Sequence, residues 1–172
     1  MRRPIIGVMG AGEPSPQHLA EARELGRRIA ERGWIVLTGG RPAGVMEAAA
    51  AGAKEIRGSV TLGILPDDRA DLASPHVDIA IITDLGNARN NLNVLTSRVI
   101  VACGVEGAGT ASEVALAIKN GRPVVLLRPS AEAWAFFGPL GGGLAHRAET
   151  PAEAVELIGG RLGVPRGAEW AE

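Results

Sequence analysis

Of 172 residues only one is cysteine, the net charge is −1, and no apolar run approaches the ~18 residues that a membrane-spanning helix needs. Each absence removes a class of function. A lone cysteine, Cys103, cannot build a disulfide framework and is compatible with a reducing compartment; at the end of an apolar run it reads as a small buried residue. Acidic and basic residues alternate, which leaves no one-signed stripe to bind a phosphate backbone by counterion release, so no nucleic-acid partner is expected. With neither a long apolar run nor a signal-peptide core at the start, the chain is expected to have no membrane association and to be cytoplasmic. His18, His76 and His146 share no metal-ligand spacing and no Cys-x-x-Cys is present, so no structural metal is expected. Asp67, Asp68 and Asp71 read as a solvated loop, not a cation site. No Gly-x-Ser-x-Gly elbow suggests a serine hydrolase.

What the chain has in excess is glycine, 24 residues, about twice ordinary usage. These glycines cluster where apolar runs end. Strands are expected at Ile5 to Met9, Ile35 to Thr38, Thr61 to Leu65, Asp78 to Ile82, Val99 to Cys103 and Val124 to Leu127, with a weaker one near His146. Helices are expected over Pro16 to Arg32, Val45 to Ile56, Asn91 to Thr96, Ala111 to Asn120 and Pro151 to Ile158. In the first, Leu19, Ala22, Leu25, Ile29 and Ala30 form an apolar stripe, Ser15 and Pro16 supply a cap and first-turn proline, and Glu24 pairs with Arg28. Strands that are apolar throughout and alternate with helices imply an α/β fold: a Rossmann-like, doubly wound parallel sheet with helices on both faces. The expected organisation is one ligand-binding domain over residues 1–160 and a loosely held tail over 161–172, in which Trp170 is placed to anchor the tail or a subunit contact.

In such a sheet ligands sit outside the carboxyl ends of the strands. Four glycine-bearing loops fall there. The first contains Gly10 and Gly12, in a spacing that departs from the dinucleotide fingerprint. The second, Gly39-Gly40-Arg41-Pro42-Ala43-Gly44, sets a fixed positive charge beside backbone donors at a helix start. The third, Thr83 to Asn91, carries Arg89 and Asn90 among small polar residues, where a guanidinium could clamp phosphate or carboxylate. The fourth, Gly104 to Thr110, leads into a helix whose first amides, at Gly107, Ala108, Gly109 and Thr110, can hold an anion. Glu113 has two readings. Thr110-x-x-Glu113 has the spacing of a capping box, as does Thr150-x-x-Glu153; but Glu113 also follows a glycine loop on the same edge as Arg41 and Arg89.

Together these loops resemble the lysine decarboxylase-like superfamily, which includes the LONELY GUY phosphoribohydrolases and the molybdenum cofactor carrier proteins. The resemblance covers about Ile5 to Leu127. The hydrolases carry Pro-Gly-Gly-x-Gly-Thr-x-x-Glu; here Val105-Glu106-Gly107-Ala108-Gly109-Thr110-Ala111-Ser112-Glu113 stands in its place, with the proline and the first glycine replaced. Arg89 matches the arginine of the hydrolase signature, whereas Asn90 stands where lysine usually follows. Leu37-Thr38-Gly39-Gly40-Arg41, Gly44-Val45-Met46 and Asn87 to Val94 look closer to the carrier branch.

Two functions follow as expectations. In the first, the resemblance implies a homo-oligomer, dimer or tetramer, that stores or carries a small anionic, phosphate-bearing ligand, the molybdenum cofactor. Gly10, Gly12, Gly39, Gly40, Asn90, Gly107, Ala108, Gly109 and Thr110 would line its site, with Arg41 and Arg89 neutralising its charge. In the second, the chain is a nucleoside 5′-monophosphate phosphoribohydrolase in which Arg89 and Glu113 form the active pair. Glu106 argues against the second, because a carboxylate there would crowd or repel a nucleotide phosphate.

Overall fold

β-Branched runs between glycines become strands and alanine-rich stretches between them become helices. A computed structural model describes residues 3–162. Its elements run β1 (Ile5–Gly10), α1 (Pro16–Glu31), β2 (Ile35–Thr38), α2 (Gly44–Lys54), β3 (Thr61–Leu65), β4 (Ile79–Ile82), α3 (Arg89–Thr96), β5 (Val99–Cys103), α4 (Ala108–Lys119), β6 (Val124–Leu127), α5 (Ala131–Gly141), β7 (Ala145–Ala148) and α6 (Pro151–Arg161). Leu162, just past α6, is buried against the core; Trp170 and the rest of the tail lie outside the described residues. Among the described residues no helix is long and apolar enough to cross a membrane.

All strand pairs are parallel, in the order β4-β3-β2-β1-β5-β6-β7. The sheet therefore reverses its winding between β1 and β5, the place where sheets of this kind bind ligands. Successive strand residues point to opposite faces. Ile6, Val8, Val36, Val101 and Val125 pack under α1, α2 and α6, whereas Met9, Leu37, Ile100, Ala102 and Leu126 pack under α3, α4 and α5. The expected doubly wound architecture is the one observed.

The helix starts follow from local chemistry. Ser15 Oγ accepts from the His18 amide at 3.2 Å, with Pro16 in the first turn, and Glu24 pairs with Arg28 at 2.6 Å. Leu19, however, is exposed; His18 is the first-turn residue of α1 that turns inward. Ahead of α6, Thr150 Oγ1 accepts from the Glu153 amide at 3.2 Å and Glu153 reaches back to the Glu149 amide at 2.8 Å, which makes a reciprocal cap one residue wider than the usual box. Helix α5 is a helix that the apolar pattern does not reveal. Gly138 and Pro139 interrupt it and its apolar residues circle it, Phe137 inward and Phe136 and Leu140 outward, so no stripe appears. Its signal was Ser130, whose hydroxyl accepts from the Ala133 amide at 3.1 Å.

Candidate functional site

At the carboxyl end of β5 the chain turns at Gly104 and enters α4 from Gly107. No side chain caps this helix, and nothing lies within 4 Å of where a side chain on Gly107 or Gly109 would begin. The first-turn amides of Ala108, Gly109 and Thr110 have no capping side chain, Ala108 and Gly109 are exposed and Thr110 is buried behind them, and the positive end of the helix dipole lies at this turn. The capping-box reading of Thr110 and Glu113 is overturned. The helix begins at Ala108, which places Thr110 inside the first turn instead of ahead of it, and Glu113 is turned into the protein.

Glu113 is buried and accepts a hydrogen bond from Asn93 Nδ2 at 2.8 Å. Burial pushes its carboxyl up to about 7, against the pull of the Asn93 amide and the Arg89 charge. Asn93 lies one turn after Arg89 on α3, so the two share a face of that helix. Arg89 itself is buried, and its guanidinium lies against Gly39: a Cβ at Gly39 would come within 2.3 Å of Arg89 Nη1. Glycine is what lets the cation sit there. Burial lowers the pKa of Arg89, an effect that Glu113 opposes and the nearby charge of Arg41 reinforces. Neither Arg89 Nε nor Asn93 Oδ1 has a hydrogen-bond partner among the described residues. A buried guanidinium with an unused donor is an electrostatically incomplete arrangement.

The second loop supplies Arg41, half-exposed and held by Asp67 through Arg41 Nη2 at 2.9 and 3.0 Å and Nε at 3.2 Å. Arg41 follows two residues after Gly39, against which Arg89 lies, so both guanidinium groups belong to one end of the sheet. Gly40 takes a positive φ of 80° with its amide donating to Thr38 Oγ1 at 3.1 Å, which spends that donor internally. Asn90 Nδ2 donates to Ser112 Oγ at 3.0 Å, and Ser112 Oγ to the Gly109 carbonyl at 2.6 Å; this ties the start of α3 to the first turn of α4. Gly10 serves packing, since a side chain there would strike Val45, whereas Gly12 faces open space. Gly44 interlocks the first two loops: a Cβ there would meet the Ala11 carbonyl at 2.2 Å, and the Val45 amide donates to that carbonyl at 3.1 Å.

Glu106, the departure from the glycine-rich pattern, points to the opposite face of the sheet, where its Oε1 lies 2.8 Å from His18 Nδ1. Asp71 pairs with Arg69. Among the described residues no group of three or more His, Cys, Asp or Glu side chains could hold a metal ion. Cys103 is buried and its thiol is pushed far up by that burial. Sequence reasoning missed Asn93, Asp67 and His18 as parts of this edge. Of these only Asn93 had a usable signal, its four-residue spacing from Arg89.

The profile described as LDcluster4, the SLOG cluster4 family, matches residues 3–155. Among solved structures, the molybdenum cofactor binding protein from the phototrophic bacterium Rippkaea orientalis is 50% identical, with a TM-score of 0.90 over 94% of this chain and 99% of that one. The molybdenum cofactor carrier protein of Chlamydomonas reinhardtii is also 50% identical, with a TM-score of 0.87 over 94% of this chain and 100% of that one. An uncharacterized protein of Archaeoglobus fulgidus is 44% identical over 124 residues, 72% of this chain and 80% of that protein.

Proposed function

The chain belongs to the SLOG cluster4 family, and on that premise we propose that it binds and carries the molybdenum cofactor, an anionic, phosphate-bearing pterin. One observation carries the reading: the buried Arg89 guanidinium lies on Gly39 at the same edge as the uncapped N-terminus of α4. In this reading the amides of Gly107, Ala108, Gly109 and Thr110 receive the phosphate oxygens and Arg89 neutralises them. Arg41 closes the other side beside Gly39 and Gly40, with Gly12 at the rim, Gly10 fixing the first loop and Asn90 bracing α4. The metal arrives with the cargo, and the site needs no ligand set of its own. Identity of 50% along nearly the full length of two proteins described as binding or carrying this cofactor supports the assignment.

A carrier requires no chemical step. Glu113 then sets the charge beside Arg89 instead of attacking a substrate. We also assign the chain to the cytoplasm as a homo-oligomer, dimer or tetramer, with a small anionic ligand and no nucleic acid as its partner. The apolar side chains of Ile79, Ile81 and Ile82, left exposed on the edge strand β4, support self-association.

The test is anaerobic loading with molybdenum cofactor, gel filtration, and measurement of retained molybdenum and pterin. Wild-type protein should retain both, and Arg89→Gln at least tenfold less, with no base released from adenosine monophosphate by either. Free adenine formed at steady turnover and abolished by Glu113→Ala would replace the carrier with a hydrolase.

A further inference from the structure

We propose that His18 is a positioning residue that parks the Glu106 carboxylate away from the anion cradle, and so protects the affinity of the site for phosphate. The inference rests on the carrier reading above and deepens it. Glu106 directly precedes Gly107, the residue from which α4 starts, so its charge sits next to the amides that face the ligand. A free carboxylate at that place competes with a phosphate for the same donors and repels it. The structure instead turns it across the sheet to α1, where His18 Nδ1 lies 2.8 Å from Oε1. An ionised carboxylate can only accept, so Nδ1 carries the hydrogen.

The holder is itself held. His18 is buried, its amide is bound to Ser15 Oγ at 3.2 Å, and its ring lies against Gly104, where a Cβ would come within 2.6 Å of Cε1. Gly104 has a positive φ of 65°, so glycine is required there both by the backbone and by the ring. Three features therefore converge on one outcome: a turn that leaves room for the imidazole, a helix cap that fixes the residue bearing it, and a bond that joins the start of α1 to the loop after β5.

A simple tether predicts that either partner is needed; a parked charge predicts that His18 is needed only while Glu106 is charged. The experiment is therefore a cycle read with inorganic phosphate as the probe, by calorimetric titration of the full chain, with thermal unfolding recorded for each variant. His18→Phe keeps a ring against Gly104 but loses the donor, and guards against a packing defect in His18→Ala. Both should weaken phosphate binding about fivefold to tenfold, the weight of one screened unit charge near the ligand. Glu106→Gln should bind phosphate at least as tightly as wild type, and the double variants with Glu106→Gln should recover to within about twofold of it. If the double variants stay as weak as the His18 variants, or if the His18 variants bind like wild type, the inference is overturned while the cradle stands. If wild-type protein binds no phosphate, the cradle is overturned and the inference with it.

Discussion

Replacing Glu113 with glutamine should remove a defined part of the pH dependence of stability. In the folded protein this carboxyl titrates at about 7, against an ordinary value of 4.5, chiefly because it is buried. Between those values the folded state holds a proton that the unfolded chain has released, so stability is highest on the acid side and falls as pH rises. The contribution is complete below about 4.5 and gone above about 7. At about 1.4 kcal/mol per pH interval of one, the span amounts to about 3 kcal/mol. The assay is urea unfolding at intervals from pH 5 to pH 8 for wild type and Glu113→Gln, which retains an acceptor for Asn93 without a titrating group. Subtracting the two curves cancels the other groups that titrate in this range. Wild type should lose about 2–3 kcal/mol more than the variant across the window. A difference that is flat, or that rises with pH, would refute the placement of Glu113 in a dry, neutralising pocket. Saturating phosphate should move the fall to higher pH, because an anion beside Arg89 favours the neutral carboxyl.

Gly39→Ala should weaken phosphate binding about tenfold, because its Cβ would need the space of Arg89 Nη1 at 2.3 Å and Met46 Sδ at 2.7 Å and so lifts the guanidinium from its seat. Unchanged affinity by titration would show that Arg89 does not act from this position. Ile81→Lys, on the edge strand β4, should lower the mass in solution to that of one chain, as measured by light scattering after gel filtration. An unaltered assembly, or a wild type that is already monomeric, removes β4 from the interface.

The strands were legible because a parallel sheet buried on both faces demands unbroken apolar runs, and glycine marks where each ends. β2, β3, β5 and β6 fall where the sequence places them, and β1 extends one residue further, to Gly10. Helix starts were less legible. α4 was expected from Ala111 because Thr110 looks like a cap, yet the chain becomes helical at Ala108 with no side-chain cap at all. That error concealed the most useful fact about Glu113, that it is free to face inward. The loops and the basic residues at their tips could be read, because parallel topology alone sends them to one edge. What stayed hidden was contact: Arg89 on Gly39, Asn93 on Glu113, Glu106 on His18. Each joins segments far apart in the chain and depends on how α3, α4 and α1 sit over the sheet, which residue spacing does not encode.

On the carrier reading, the interlock at Gly44 bears on how cargo leaves. With the loops after β1 and β2 joined backbone to backbone through Ala11 and Val45, neither can swing without the other. The ordering cost of that wall is met during folding, so a guest docks onto a surface already set and loses little to entropy on arrival. The same linkage gives neither loop a door of its own. On the carrier reading, release then proceeds by competition for the exposed side of the guest, with the rate set by how firmly a few polar groups grip one phosphate.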